Sequence, residues 1–311
     1  MKIVGLSFGR RMKNCEILVK KALMKAEEQG AEVSFISMIN KTIGHCIGCG
    51  ACSKGMKNGL DIVCVLRDDY ETVVRELLDA DGIIIAAPVY SVGISGQFKN
   101  FLDRFGAAHD RASLDAENEK RRIEGMPLLD ERYFKDRYVS YISVGGAATH
   151  HWVAFGLPMM HLFDFSSKMK VVDQIDAYDM GRGGNPLLDS LLMKRVDELG
   201  EHMVQAITFH DDSWKGEPGI CPVCHGSLLS FNHTTTVECP VCGIKGKLHI
   251  EEEALHVYFS KEEIQRARNT TAGLLEHYEE IKQMPNIAIP KLTAGKEMLD
   301  ESMAVLKDYL A

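Results

Sequence analysis

Eight of the nine cysteines fall into two tight groups, and these set the chemistry open to the chain. Cys46, Cys49 and Cys52 have C-x2-C-x2-C spacing, and Cys64 follows after eleven intervening residues. Three thiolates on one short loop can reach three irons of a cubane without long loop closure, so the pattern suits a [4Fe–4S] cluster with Cys64 as fourth ligand. Free buried thiols or zinc are the alternatives. Cys221-Pro222-Val223-Cys224 and Cys239-Pro240-Val241-Cys242 form two C-x2-C knuckles with fourteen residues between them. Such a pair fits tetrahedral thiolate coordination of Zn2+, which would fold a module too small to have its own core. Rubredoxin-like iron shares that geometry. Grouped cysteines without a secretory leader argue for metal in a reducing compartment, and a cytoplasmic location is expected. Cys15 stands alone.

Two further stretches carry polar chemistry. The segment Gly5–Glu16, GLSFGRRMKNCE, follows a short apolar run and opens a helix. Backbone N–H groups and the helix dipole can hold an anion there. Ser7, Asn14 and the amides near Cys15 can donate, and Arg10 and Arg11 supply charge. The dinucleotide fingerprint G-x-G-x-x-G is absent, so a monophosphate fits better than a pyrophosphate; an ordinary turn with exposed arginines is the alternative. His150 and His151 follow the glycines Gly145 and Gly146 and are the candidate acid–base residues. A histidine satisfied by backbone is the alternative. His109 and Arg111 could meet an anionic substrate. No G-x-S-x-G or H-E-x-x-H motif occurs.

The elements that must position these residues alternate along the chain. Lys2–Leu6, Glu32–Ser37, Gly82–Ala87, Tyr138–Val144 and Lys170–Ile175 read as strands. The run Ile83–Ala87 is too uniformly apolar to be half exposed, as expected of a buried parallel strand. Pro88 is expected to end it, with a loop over Val89–Ile94 and Ser95 as N-cap of a helix carrying Phe98, Phe101, Leu102 and Phe105. Helices follow the other strands at Cys15–Ala26, from Asp68 onward, and over about Leu187–Phe209. The alternation predicts an α/β domain with a five-stranded parallel sheet covered on both faces. The loops after strands one, three and four leave the edge where open α/β sheets bind ligands.

The domain plan runs 1–214 for the α/β domain, with the cysteine loop at 45–64 and a charged insertion at 106–137. A four-cysteine metal ribbon occupies 215–260, entered through a linker at Gly216–Gly219, and helices fill 261–311 at about Lys261–Gln283 and Leu292–Leu310. The insertion reads as a lid, an oligomer arm or a solvated excursion. Net charge is −8 with no basic stripe, which excludes nucleic acid as an expected partner. No apolar run reaches membrane-spanning length.

Taken together, these segments resemble the NADPH-dependent FMN reductase superfamily, and more closely its iron–sulfur flavoproteins. The family phosphate loop S-P-R-x-x-(S/G)-N-T corresponds to Gly9-Arg10-Arg11-Met12-Lys13-Asn14-Cys15, with arginine for the proline and cysteine for the threonine. The family segment S/A-P-V-Y…S-G-x-x-K-x-F-I/L-D-R is present from Ala87 to Arg104. The compact cysteine motif lies in the same place, before Asp68-Asp69, with a longer last spacing. The resemblance covers roughly residues 1–210. It implies a flavodoxin-like fold with strand order 2-1-3-4-5 and bound FMN. Ser7, Arg10, Arg11, Asn14, Cys15 and Glu16 would surround the phosphate. Pro88, Val89, Tyr90, Ser91 and Gly93 would lie against the isoalloxazine, and Gly145, Gly146, Ala147 and Ala148 would close the other edge. It further implies a homodimer or homotetramer with flavin sites at subunit interfaces, and a redox partner: NAD(P)H, ferredoxin or another protein. Two functions follow as expectations. One is an oxidoreductase coupling hydride transfer at FMN to single-electron transfer at the cluster. The other is an electron carrier between partner proteins with no small substrate of its own.

Overall fold

The structure is a computed structural model describing residues 1–58 and 62–309. In chain order its main elements are β1 (Lys2–Ser7), α1 (Asn14–Glu28), β2 (Glu32–Ser37), α2 (Ala51–Lys57), α3 (Tyr70–Asp79), β3 (Gly82–Tyr90), β4 (Gly93–Ile94), α4 (Gly96–Ala108), α5 (Arg111–Glu124) and β5 (Tyr138–Val144). These are followed by α6 (Gly156–Met160), β6 (Lys170–Ala177), α7 (Ser190–Phe209), the short strands β7 (Ser230–Phe231) and β8 (Thr236–Glu238), the longer β9 (Lys245–Glu251) and β10 (Ala254–Phe259), and α8 (Lys261–Gln265), α9 (Thr271–Ala294) and α10 (Lys296–Asp308).

The main sheet has the order β2-β1-β3-β5-β6 with all four of these pairings parallel. Counting parallel strands alone, this is the expected 2-1-3-4-5 order. Ile83, Ile84 and Ile85 are fully buried because β3 is central and covered on both faces. Each such side chain contributes on the order of 2 kcal/mol. One face packs on α3 and α4 through Val73, Leu77, Phe98, Phe101 and Phe105; the other packs on α1 and α7 through Leu18, Val19, Leu199 and Met203.

Pro88 does not end β3. It pairs with Val144 at the last step of the parallel ladder, where a missing N–H matters least. The strand runs on to Tyr90 and turns back through Ser91 and Val92 into β4. Ser95 stands at the N-cap of α4 by backbone, but its side chain caps nothing. In β6 a register shift opposite Val139 and Ser140 inserts one residue. That bulge turns Val172 and Asp173 to the same side, toward α7.

Within 106–137, α5 and the segment after it pack onto the cysteine loop. Leu114 and Leu129 bury against Met56 and Ile62, and Arg121 donates to the Met56 carbonyl. His109 and Arg111 therefore lie inward, away from a free surface. The second sheet, β10-β9-β8-β7, is antiparallel and carries the four knuckle cysteines in its own small core. Its entry at Gly216–Gly219 is packed: a Cβ at Gly219 would come within 1.9 Å of the His225 carbonyl oxygen. The helix expected at Leu292–Leu310 begins after Gly295, as α10, and its last expected residue lies outside the described residues. No helix among the described residues is long and apolar enough to cross a membrane.

Candidate active site and metal centres

Parallel β1, β3 and β5 deliver their following loops to one rim of the sheet. The first loop is pinned at its start, where the Phe8 amide donates to the Ala86 carbonyl. Lys13 caps α1 without a side-chain acceptor, leaving the first-turn amides open to an external anion. Arg10 and Arg11 are exposed beside them, and no ion pair joins either among the described residues. This donor set suits a phosphate.

The side chains expected there divide into two kinds. Ser7 is buried and accepts weakly from the Gly9 amide at 3.4 Å. Asn14 spends its amide group on the carbonyls of Met180 (2.9 Å) and Gly184 (3.1 Å), so it ties the first loop to the loop after β6. The Cys15 thiol is buried against Gly9, and burial pushes it up to about 12, so it is no nucleophile. Burial works against charge on Glu16, but Ser37, the Met12 amide and Lys20 outweigh it and hold the carboxyl below its usual range. Cys15 and Glu16 thus offer backbone N–H groups only. Their place in the chain puts them at the loop but does not reveal which way their side chains turn.

Across the rim, Val89 is half-buried, while Tyr90 stands 57% exposed at the end of β3. Ser91 (φ 52°) and Val92 (φ 73°) form a two-residue turn with both residues in the left-handed region, which is rare for a β-branched side chain. Gly93 closes the hairpin opposite Tyr90. The Gly145–Ala148 loop interlocks with the loop after β6: the Met180 amide donates to Gly145 and the Asp179 amide to Ala147. Gly146 lies against Gly181, where a Cβ would come within 2.6 Å of the Gly146 carbonyl. His150 and His151 are exposed. His150 Nδ1 lies 3.2 Å from the Tyr178 hydroxyl, and that hydroxyl donates loosely to Asp176 at 3.4 Å. Burial, with the Asp176 charge, pushes Tyr178 up to about 12, and burial raises Asp176 above its usual range. His151 only tilts against Trp152.

The first cysteine group lies on the same side of the sheet. Cys46, Cys49, Cys52 and Cys64 all line one small cavity of about 40 Å³ between the loop, α3 and α4. Their sulfurs are not gathered as tightly as the second group's; among the described residues only the second group draws together as a metal site. The cavity wall also holds Tyr70, Arg104 and His109. Arg104 Nη1 is bonded to Asp68 at 2.6 Å, while its Nε and Nη2, and His109 Nε2, are buried without hydrogen-bond partners. Desolvation opposes charge on Arg104, but Asp68 and the nearby Cys64 thiol raise its pKa. An anionic cluster on four thiolates would fit this donor set, since it supplies the acceptors that Arg104 lacks. Asp68 also accepts from the amides of Gly44 and Tyr70, so it fastens the loop.

The second group is drawn together at metal-site distances. All four thiols are buried, their sulfurs lie within 4.8 Å of one another, and two of the edges are 3.8 Å (Cys221–Cys242) and 3.6 Å (Cys224–Cys239). Metal–sulfur bonds of about 2.3 Å give tetrahedral edges of about 3.8 Å, so a metal ion fits without rearrangement. Each knuckle closes by a turn that ends in a left-handed residue, His225 (φ 53°) and Gly243 (φ 71°). Gln174 on β6 had no sequence signal, yet it joins the two modules. Its Nε2 donates to the carbonyls of Cys224 and His225, both at 3.2 Å, and its Oε1 accepts from His161 at 2.6 Å.

Comparison with known proteins bears on the fold and the family. A structure titled flavone reductase superposes over the whole chain, with a TM-score of 0.85, 26% identity and 98% of its own length covered. A protein named flavone synthase from Aspergillus candidus is 29% identical over 91% of this chain and 89% of its own. An iron–sulfur flavoprotein of Methanocaldococcus jannaschii is 38% identical over 105 residues, 33% of this chain and 51% of that protein. Residues 1–176 match the family model described as NADPH-dependent FMN reductase, and on that match the chain belongs to this family.

Proposed function

We propose that this chain is an FMN-dependent reductase that uses reduced flavin to saturate the carbon–carbon double bond of a flat aromatic enone of the flavone class. The observation that carries the reading is the end-to-end likeness to a structure titled flavone reductase, which takes in the cysteine ribbon and the C-terminal helices as well as the flavin domain. Bound FMN would supply the hydride. The first-turn amides of α1, with Arg10 and Arg11, would hold its phosphate. The Tyr90–Gly93 hairpin and the Gly145–Ala148 loop would flank its ring, and His150, in contact with Tyr178, stands where a proton could be delivered.

The cysteine loop belongs to the same reading. A [4Fe–4S] cluster on Cys46, Cys49, Cys52 and Cys64 would pass single electrons between the flavin and a donor such as ferredoxin, or stand by while NAD(P)H delivers a hydride. The knuckle cysteines of the ribbon would hold Zn2+ as a structural ion. A homodimer or homotetramer in the cytoplasm remains part of the proposal. Self-association is supported by the apolar residues exposed on α9 and α10, among them Ile281, Met284, Ile287 and Met303.

The test is anaerobic. The purified protein should carry one FMN and one ribbon metal per chain, with about four irons and sulfide if the cluster is present. Reduced with NADPH, NADH or reduced ferredoxin, its flavin should be reoxidised by flavone, one molecule per flavin, with loss of the flavone chromophore. A reduced flavin inert to flavone but rapidly oxidised by one-electron acceptors would overturn this reading in favour of a carrier.

A further inference from the structure

A cavity of about 530 Å³ lies between the outer edge of the main sheet and the cysteine ribbon, within the size range of small-molecule sites. Its floor is β6 with the loop after it, its side walls are the α6 segment and the start of α7, and its roof is the ribbon knuckles. None of Ser7–Glu16, Pro88–Gly93 or Gly145–Ala148 lines it, so it is distinct from the flavin rim, which it approaches only at His150.

We propose that this seam cavity binds a flat, largely apolar aromatic molecule whose single hydroxyl or carbonyl oxygen meets Tyr178. Ala154, Leu157, Pro158, Leu191 and Val241 give it apolar walls. Leu191 is 79% exposed, which a bound apolar ligand would relieve. His225 contributes a ring held in place by stacking on Trp214, with centroids 3.9 Å apart and planes 13° from parallel. A fixed flat ring favours a flat ligand. Of its polar lining, Gln174 and His161 bond each other, Arg195 bonds Asp173 and Glu217 is exposed; the polar end left to a ligand is the His150–Tyr178–Asp176 chain, which ends in a buried Asp176 oxygen without a hydrogen-bond partner. An incoming oxygen can accept from or donate to this chain. Cys224 and Cys239 also line the cavity, so the wall stands only while the knuckles are folded on their metal.

The inference rests on the reductase reading for its choice of probe, flavone, and not for the site. The experiment uses FMN-loaded protein with its metals. The chain has two tryptophans, so Trp152→Phe leaves Trp214 as sole reporter beside the cavity. Flavone should change Trp214 emission saturably at one molecule per chain. Ala154→Phe, which fills the cavity, should weaken binding about tenfold. Tyr178→Phe, which keeps shape and removes the hydroxyl, should weaken it about fivefold. Both should retain FMN and the ribbon metal in full. Flavone that binds at Trp214 but is never reduced upholds the site and sinks the reductase reading. Flavone reduced with no Trp214 response and an unchanged KM in both variants overturns the site and leaves that reading standing. The absence of saturable flavone binding overturns the site as well.

Discussion

Arg104 and Asp68 form a buried ion pair, Nη1 to Oδ2 at 2.6 Å, that uses only part of the guanidinium. The pair joins α4 to the cysteine loop, and the side of Arg104 left over adjoins the cavity lined by Cys46, Cys49, Cys52 and Cys64. A fixed positive charge stabilises the reduced, more negative form of any cluster held there, which raises its potential. Arg104→Lys keeps the charge but loses the fork; Arg104→Gln loses both. In an anaerobic redox titration followed by electron paramagnetic resonance, the cluster midpoint should fall for Arg104→Gln and fall less for Arg104→Lys. Equal midpoints in all three proteins would show that the guanidinium does not face the cluster.

Gln174 gives a second prediction. Replacing it by Leu leaves the Cys224 and His225 carbonyls without their donor and His161 without its acceptor. Each buried group left unmade costs roughly 1–3 kcal/mol. The loss should fall on the seam, not on the flavin. Limited proteolysis between Trp214 and Phe259 should therefore accelerate at least tenfold, while FMN content stays at one per chain. Chelation of the ribbon metal should produce the same proteolytic pattern in the wild-type protein, because the knuckles have few apolar contacts to hold them otherwise. A ribbon that resists protease without its metal would contradict both expectations.

The strands were legible because their signals were local, while their order came from the family resemblance. Ile83–Ala87 could only be a buried strand, and Phe98, Phe101, Leu102 and Phe105 could only face inward from a helix. The knuckles were legible because their spacing is set by metal geometry. What sequence missed depends on contacts between distant segments. Nothing near Gln174 signals a carbonyl fifty residues away, and the bulge that turns Asp173 toward α7 is one extra residue with no pattern of its own. Asn14 looked like a phosphate ligand until the loop after β6 claimed its amide. The C-terminal helices were misjudged for a different reason. The gap expected between Gln283 and Leu292 contains Pro285 and Pro290, yet α9 runs through both. The carbonyls they leave unpaired belong to Ile281 and Asn286, both exposed, where water replaces the lost bonds.

Asp173 contributes to the acid sensitivity of the fold. It is fully buried, with Oδ2 2.8 Å from Arg195 Nη1 and 2.7 Å from His202 Nδ1. Burial alone would raise its pKa, but His202 and Arg195 outweigh burial and hold it below the usual 3.8. A carboxyl depressed in the folded state contributes stability that is present above the unfolded pKa and is lost as pH falls through the folded one. Asp173→Asn should cost about 3 kcal/mol at pH 7 in chemical denaturation, since it leaves Arg195 half-buried without its counter-charge. The gap between wild type and variant should hold from pH 7 to about 5 and narrow below about 4. A gap that widens toward acid would show that Asp173 is protonated in the native state.

Val92 gives the last prediction. A β-branched residue at φ 73° in a two-residue hairpin turn is strained by on the order of 1–2 kcal/mol, and such turns ordinarily carry Asn-Gly. The pairing of β4 with β3 through a two-residue turn requires positive φ at both positions, so the strain lies in the choice of Ser91 and Val92 and not in the turn. Strain retained where relief is available clusters at working sites, and this turn overhangs the rim expected to hold the flavin ring. Changing Ser91-Val92 to Asn-Gly should therefore raise stability by about 1 kcal/mol. It should at the same time lower flavone turnover or weaken FMN binding, read separately as kcat and as flavin fluorescence on dilution. If the doubly substituted protein gains stability and keeps both properties, the strained turn is an accident of the loop. A loss of stability would mean that the Val92 side chain packs better than its backbone suggests.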